Sequence, residues 1–310
     1  MLGTGAVAAL TLPGGPPADA APKVATEPFV DGNAPIVHWM IAHKKDPRVP
    51  VLRERIAEQP KAVWFTTYDP TTITKETREY VGAAVKAVEV PMIVTYMLAN
   101  RDCGGPSAGG APDWTTYDEW VANFARGLGS QRVLVFLEPD SVSLLTCLSK
   151  REVAERNAAL KGAVTAIKAA NPKAEVYLDG GHSSWNPPAV QAKRLERAGV
   201  TGADGFYTNA SNYRTTEAET KYGKALLRAI GGNGLRFVID TSRNGNGPRG
   251  LEWCDPKGRK LGRTPTLETG DRQIAGYPWI KAPGEADGCK GVAGTFYPKL
   301  AYELATNPSR

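Results

Sequence analysis

Residues 132–140 read RVLVFLEPD, and this stretch decides the fold class. Its core, from Val133 to Leu137, is an unbroken apolar run. Such a run is typical of a strand that is buried on both faces, as in a parallel sheet covered by helices. A carboxylate, Asp140, follows almost at once. The stretch therefore predicts a central parallel strand with an acidic residue just beyond its carboxyl end.

The same pattern recurs along the chain, with helical segments between the apolar runs. Strands that alternate with helices favour βαβ units and a parallel sheet, and this many repeats favour a barrel over an open sheet. We therefore predict an α/β fold, a TIM-like parallel (β/α) barrel of about seven strands. The predicted strands are 62–68, 92–98, 132–139, 175–180, 205–209, 236–240 and 277–281, and the predicted helices are 73–88, 117–128, 151–170, 189–198 and 217–230.

Polar residues, mostly carboxylates, follow the predicted strands. The carboxyl ends of the strands of a β/α barrel converge on one face, where active sites are built. Carboxylates gathered there repel one another, and a protein that needed only a stable fold would not collect them at one place. The cluster therefore indicates acid/base chemistry on an uncharged or cationic substrate. These residues are Asp102, Asp140, Asp179, Asn209, Asp240, Glu285 and Asp287.

Composition excludes several other classes of protein. The chain has 310 residues, 42% of them hydrophobic and 23% charged, as in ordinary globular proteins. It has no apolar stretch of about 20 residues, so no membrane span is expected. The net charge of +6 is scattered, so no nucleic-acid partner is expected. Three histidines and well-separated cysteines predict no metal site, no cofactor is implied, and no GxSxG elbow is present.

The first 22 residues, MLGTGAVAALTLPGGPPADAAP, differ from the rest of the chain. A short apolar run and a small-residue stretch resemble a signal peptide that lacks its positive n-region. We expect residues 1–26 to be a signal-peptide remnant or a disordered leader, and residues 27–310 to form a single catalytic domain.

The four cysteines suit two disulfides in an exported protein. Four cysteines allow three pairings, and spacing alone does not choose among them.

Seven segments occur in an order and form that resemble the catalytic domain of glycoside hydrolase family 6, especially its bacterial endoglucanases. The resemblance covers roughly residues 27–307. It implies a distorted, partly open barrel and endo-acting hydrolysis of β-1,4-glucosidic bonds in cellulose or a related β-glucan, with inversion. Chain-end (cellobiohydrolase-type) action and a non-catalytic carbohydrate-binding relative are the alternatives. The segments are TYMLANRDCGGPSAGG (95–110), FLEPDSVSLL (136–145), YLDGGHSSW (177–185), TNASNY (208–213), VIDTSRNGNGP (238–248), EWCDPKGRKLG (252–262) and WIKAPGEADGC (279–289).

Four aspartates match the catalytic positions of this family. An inverting enzyme needs a protonated acid for the leaving oxygen and a base for a water on the opposite face. The resemblance implies that Asp140 is the acid and that Asp102 supports its pKa and helps to organise the water. It implies Asp287 as the base, with a water relay as an alternative to direct contact, and Asp179 as a further site carboxylate.

Other positions match the substrate-binding groups of the family. The resemblance implies three sugar-stacking tryptophans and a tyrosine beneath the distorted sugar. For Lys281 and Glu285, a simple salt bridge at the barrel rim is the alternative. Arg101 is expected to pair with a site carboxylate, and Trp114, Trp120 and Trp279 are interpreted as structural. The matched binding residues are Trp64, Tyr96, His182, Trp185, Ser211, Asn212, Trp253, Lys281 and Glu285.

The resemblance also implies the disulfides Cys103–Cys147 and Cys254–Cys289.

The short chain and the compact connection at 212–216 favour an open cleft and endo action. No carbohydrate-binding module or linker is visible, so weaker action on crystalline than on soluble substrate is expected. We expect a secreted monomer whose partner is a β-glucan.

Overall fold

The computed structural model describes residues 25–231 and 234–309. Seven parallel strands form one sheet in chain order, and the sheet curls into a half-barrel surrounded by helices. This confirms the predicted distorted, partly open parallel barrel. The strands are β1 (Val63–Phe65), β2 (Met92–Thr95), β3 (Val133–Leu137), β4 (Ala174–Asp179), β5 (Gly205–Thr208), β6 (Arg236–Ile239) and β7 (Ile274–Gly276).

The helices begin and end at residues that suit helix ends. Capping boxes at Asp113 and Ser149 start α4 and α5, and Gly199, with a φ of 92°, ends α6. The five predicted helices are present, but α1, α2 and α8 were not predicted. The helices are α1 (Pro35–Ala42), α2 (Val49–Leu52), α3 (Ile73–Ala87), α4 (Trp114–Gly127), α5 (Lys150–Ala170), α6 (Pro188–Ala198), α7 (Thr216–Ile230) and α8 (Pro298–Thr306).

Alternate residues of each strand face two separate cores. In β3, Leu134 and Phe136 point to the inside of the curled sheet, whereas Val133, Val135 and Leu137 pack beneath the helices. All five are fully buried. An apolar run without alternation is therefore needed, because both faces of the sheet exclude water.

The seventh strand lies before the predicted 277–281, at Ile274–Gly276. Pro278 has no backbone N–H to donate to a ladder. Tyr277 donates its N–H to Thr266 O at 2.8 Å instead of extending the parallel ladder. The segment 277–281 is apolar because it is buried against the barrel, and burial alone does not make it a strand.

The edges of the sheet do not pair with each other. Among the residues described, no ladder joins β1 to β7, although Ala62 N donates to Trp279 O at 2.9 Å. A third core, formed by α1, α2, α8 and the π-helical turn Arg53–Ala57, packs around Trp279 at this seam. These short helices cover the place where a closed barrel would have further strand pairing.

The two disulfides have the pairing implied by the family resemblance. Cys103 bonds to Cys147, and Cys254 bonds to Cys289. The first joins the loops after β2 and β3, and the second joins the loops after β6 and β7. Both bridges therefore lie at the carboxyl ends of the strands.

The leader expected at residues 1–26 lies outside the described residues, apart from residues 25 and 26. Over the described ranges, none of the helices has the length and apolar character required to cross a membrane.

Candidate active site

A cleft of about 420 Å³ opens at the carboxyl ends of the strands. All the site residues predicted from sequence line it, except Asp179 and Glu285. Strand β1 contributes Trp64, and the loops after the other six strands contribute the rest. The lining residues are Trp64, Tyr96, Asp102, Ser107, Pro139, Asp140, Leu144, His182, Ser184, Trp185, Ala210, Ser211, Asn212, Arg214, Leu251, Trp253, Lys281, Ala286 and Asp287.

Asp140 is a partly exposed carboxyl group in the wall of this cleft. Burial by its surroundings, followed by the charges of Asp179 and Asp102, raises the pKa of Asp140 to about 7. The Tyr96 hydroxyl donates to Asp140 Oδ2 at 3.2 Å and opposes this rise. Asp140 can therefore hold a proton near neutral pH and release it there.

Asp179 lies below the cleft and supports the loop that carries Asp140. Its Oδ2 accepts from the backbone N–H groups of Val142, at 3.3 Å, and Ser143, at 3.1 Å. Its Oδ1 accepts from Gly181 N at 2.9 Å. Burial raises the pKa of Asp179 in spite of these donors. The structure thus places Asp179 as a buried neighbour of Asp140, with no face on the cleft.

Asp102 begins a short 3₁₀ turn, Asp102–Gly104, directly before the disulfide at Cys103. Its Oδ2 accepts from Ser107 N at 2.7 Å. The carboxylate therefore organises its own loop and also lines the cleft.

Asp287 is a buried carboxylate in an ion pair. Arg243 Nη1 lies 3.0 Å from each of its oxygens, and the Tyr213 hydroxyl donates to Oδ2 at 3.0 Å. Asp255 N donates to the same oxygen at 3.1 Å. Burial alone would lower the pKa of Arg243, but Asp287, Tyr213 and Asp240 together raise this pKa above its ordinary value. Asp287 is thus held rigidly in charged surroundings, and Arg243, Tyr213 and Asp255 are contacts that the sequence analysis did not identify.

Aromatic side chains line the cleft. Trp64 and Tyr96 form an edge-to-face pair with ring centroids 5.5 Å apart, and Trp253 is half exposed. His182 packs against Trp185 at 5.3 Å. Apolar faces of this kind match the C–H faces of sugar rings.

His182 is a neutral imidazole at neutral pH. Burial and the nearby Arg214 lower its pKa to about 4. Its Nδ1 lies 3.2 Å from Ser184 N, and it accepts from that N–H. The ring proton therefore sits on Nε2, which can donate a hydrogen bond.

Lys281 and Glu285 form the ion pair that was the alternative to a binding role, with Nζ and Oε2 3.6 Å apart. Lys281 Nζ also lies 5.3 Å from the centre of the Trp64 ring. Burial raises the pKa of Glu285, although Lys281 opposes the rise. Glu285 lines an adjoining pocket of about 220 Å³, which shares Trp64 and Lys281 with the main cleft.

Arg101 does not pair with a site carboxylate, and that prediction was wrong. Its guanidinium donates to the carbonyl oxygens of Ser107 at 2.7 Å, Thr66 at 3.0 Å and Ala108 at 3.2 Å, and also to that of Tyr96. Two of these carbonyl oxygens, those of Thr66 and Tyr96, directly follow β1 and β2, and the other two belong to the loop after β2. Of the tryptophans interpreted as structural, Trp120 and Trp279 are buried, and Trp114 donates to Glu155 on α5.

Left-handed backbone is concentrated in the loops around the cleft. Asp102, Asp140 and Ser211 have φ values of 56°, 68° and 56°, and Glu138 and Asn209 have 48° and 68°. Each such residue costs on the order of 1–3 kcal/mol. The strain is located where the carboxyl side chains must turn towards the cleft.

Buried polar residues after the strands tie neighbouring loops together. Glu138 Oε2 accepts from Met97 N at 2.7 Å and Leu98 N at 2.8 Å, which belong to the loop of the preceding strand. Asn209 Nδ2 donates to Asp240 O at 2.8 Å. In the sequence, Glu138 stands out only as part of the FLEPDSVSLL segment. Its place directly after the apolar run of β3 is the signal that could identify it as a site residue.

No group of three or more His, Cys, Asp or Glu side chains suited to a metal ion occurs within residues 25–231 and 234–309. The side chains that reach the cleft offer a proton donor, carboxylates and aromatic surfaces.

Protonated and ionised carboxyl groups between aromatic walls suit one substrate class above others, because sugars combine apolar ring faces with acid-labile acetal bonds. The protein is a glycoside hydrolase built on a parallel barrel. A family model described as Glycosyl hydrolases family 6 matches residues 29–309. The chain belongs to this family.

Relatives agree with this assignment. Endoglucanase A of Thermobispora bispora is 49% identical over 90% of this chain and 62% of its own length. Endoglucanase 1 of Streptomyces sp. (strain KSM-9) is 51% identical over 86% of this chain and 75% of its own length. The endoglucanase Cel6 from Mycobacterium tuberculosis, solved with methyl-cellobiosyl-4-deoxy-4-thio-β-D-cellobioside, has a TM-score of 0.84 and 35% identity and covers 93% of this chain and 99% of its own.

Proposed function

We propose that the protein hydrolyses β-1,4-glucosidic bonds within cellulose or a related β-glucan, with inversion at the anomeric carbon. The observation that carries the proposal is Asp140, a carboxyl group with a pKa of about 7 in a cleft with aromatic walls. The two relatives at 49% and 51% identity are both named endoglucanases. Inversion is general to the family.

Asp140 is the general acid. It gives its proton to the glycosidic oxygen as the bond from that oxygen to the anomeric carbon breaks. Its raised pKa supports the role, because the carboxyl group must still be protonated near neutral pH. Asp179 and Asp102 contribute negative charge that keeps the proton on Asp140, and Asp102 helps to organise the attacking water.

Asp287 is the general base, and it acts through a water relay. The attacking water forms a bond to the anomeric carbon on the opposite face and loses a proton towards Asp287. The ion pair with Arg243 and the bond from Tyr213 occupy much of the carboxylate, which supports a relay rather than direct contact. Ser211 and Asn212 line the cleft close to the route of this water.

The aromatic residues hold the glucan. Trp64, Trp185 and Trp253 stack on glucose rings, and Tyr96 lies beneath the distorted sugar next to the acid. Hydrogen bonds to the hydroxyl rim come from His182 Nε2 and from two other groups, Lys281 and Glu285.

Endo action is preferred over chain-end action. The connection from β5 to α7 is short, and the names of the relatives with the higher identity support internal cleavage. A non-catalytic binding protein would need the aromatic walls but not a carboxyl group with a pKa near neutrality.

The protein is secreted and works as a monomer. Its two disulfides support export, since such bonds persist in oxidising compartments.

The test is the anomeric form of the fresh product. A soluble cello-oligosaccharide is incubated with the protein and with Asp140→Asn, and the anomeric protons are followed by NMR before mutarotation. Release of the α-anomer by the wild type alone supports the proposal. Release of the β-anomer contradicts inversion. No release from any β-glucan contradicts the activity and favours the binding protein.

A further inference from the structure

Asp240 is a buried carboxylate that no step of the proposed reaction uses. It directly follows β6 and is only 1% exposed. Its Oδ2 accepts from Lys281 N at 2.9 Å and from Ser211 N at 3.4 Å. Its Oδ1 accepts from Ser242 N at 2.9 Å. One side chain thus receives backbone N–H groups from three loops.

Two of these donors belong to residues that line the cleft. Ser211 lies after β5, and Lys281 lies after β7. The third, Ser242, directly precedes Arg243, which holds Asp287. Asp240 does not line the cleft itself, so it can act on the reaction only through these neighbours.

The need for a carboxylate follows from the type of partner. After β5, the neutral Asn209 accepts from Arg214 N at 2.9 Å and donates to Asp240 O, so one acceptor and one donor are sufficient there. At Asp240 all three partners of the side chain are N–H donors, two of them to Oδ2 and one to Oδ1. Two acceptor oxygens are therefore required, although burial raises the pKa of Asp240 and makes its charge costly.

We propose that Asp240 is a positioning residue, which fixes the loops after β5 and β7 below the cleft and so places Ser211 and Lys281 for reaction. The inference rests on the proposed glucanase function for its consequence on rate. Its structural part, the fixing of two loops, is independent of the substrate.

The first test compares Asp240→Asn with Asp204→Asn. Asp204 accepts from Val176 N at 2.8 Å near the amino end of β5 and also pairs with Lys168 Nζ at 2.9 Å, so its variant disturbs a carboxylate tie on the far side of the barrel. Displacement of site groups by about 1 Å costs on the order of 10²-fold in rate. We expect kcat/KM to fall by about 10²-fold in Asp240→Asn and to stay within about twofold in Asp204→Asn, at temperatures well below both Tm values.

The second test is a double-mutant cycle with Lys281→Ala. If Asp240 acts in part through Lys281, the loss caused by Asp240→Asn is several-fold smaller when Lys281 is already absent. Equal losses in both backgrounds overturn the placement of Lys281, and a wild-type value of kcat/KM in Asp240→Asn overturns the whole role in positioning. Asp240→Ser takes its place if the asparagine variant does not fold.

Amide hydrogen exchange separates this inference from the proposed function. We expect residues 210–213 and 278–282 to exchange about tenfold faster in Asp240→Asn than in the wild type or in Asp204→Asn, because one lost hydrogen bond is worth roughly 1 kcal/mol or more. Unchanged exchange in both segments refutes the inference, even if the enzyme is active. Faster exchange in a protein without glucanase activity supports the positioning and refutes only the proposed function.

Discussion

Replacement of Tyr96 by Phe gives a test of what sets the proton affinity of the acid. The Tyr96 hydroxyl donates to Asp140 Oδ2 at 3.2 Å, which stabilises the ionised form of Asp140 and lowers its pKa. Tyr96→Phe keeps the ring and its contact with Trp64, at 5.5 Å between centroids, and removes only the donor. The pKa of Asp140 should therefore rise.

The size of this rise follows from the hydrogen bond. A bond to a charged group contributes about 1.5–3 kcal/mol, and 3.2 Å is long for an O–H···O bond, so about 1.5 kcal/mol is appropriate. One pKa unit corresponds to about 1.4 kcal/mol. The pKa of Asp140, about 7 in the intact protein, should increase by about one unit.

The assay is kcat/KM against pH on a soluble cello-oligosaccharide, which reports groups of the free enzyme. The acid must be protonated, so the rate falls as pH rises through the pKa of Asp140. In Tyr96→Phe this alkaline limb should move to higher pH by about one unit. Tyr80→Phe is the control, because the Tyr80 hydroxyl donates at 3.1 Å to Met92 O, a backbone carbonyl.

The control should keep the alkaline limb of the wild type. A limb that stays in place in Tyr96→Phe, or that moves to lower pH, would refute the assignment of Asp140 as the acid whose pKa is adjusted by Tyr96.

Three further predictions follow from the same contacts. Asp140→Asn should be as stable as the wild type near pH 3 and progressively more stable than the wild type from about pH 4 to 7. The reason is that the pKa of Asp140 is raised in the folded state, so the wild type loses stability as pH rises through that window. Urea unfolding at several pH values measures the difference. Asp287→Ala should cost about 3–5 kcal/mol in the free energy of unfolding, since it leaves Arg243 buried without its ion pair, and a loss below about 1 kcal/mol would contradict this. Trp253→Ala, at a half-exposed position, should change the Tm by little yet weaken oligosaccharide binding by about tenfold or more in calorimetry, and unchanged binding would remove Trp253 from the sugar site.

The strands could be predicted because burial on both faces requires continuous apolar sequence. The same signal failed at 277–281. Trp279 and Ile280 are almost fully buried, but Trp279 packs among the short helices at the seam, Ile280 packs in the core inside the curled sheet, and neither belongs to a strand ladder. Residue type indicates that a segment is buried, but it does not indicate whether a neighbouring strand or a helix buries it. Three helices escaped prediction because α1, α2 and α8 are short.

The cleft was predicted in outline because a parallel barrel brings strand ends together. The pairing of charges within it was not. Arg243 and Asp287 meet across 44 positions of the chain, and no spacing rule connects them. Arg101 shows the converse, since its neighbour in sequence, Asp102, is not its partner. Sequence adjacency says little about the direction of a long side chain when backbone carbonyls compete for it.

The seam between β1 and β7 has a consequence for a polymeric substrate. Trp64 stands on one side of it and Lys281 on the other, and both line the cleft and the adjoining pocket. Trp64 Nε1 donates to Ile280 O at 2.7 Å across the seam, and Lys281 Nζ lies 5.3 Å from the Trp64 ring. A glucan chain that extended from the cleft into the adjoining pocket would therefore pass over the join between the first and last strands, where these two side chains are held side by side.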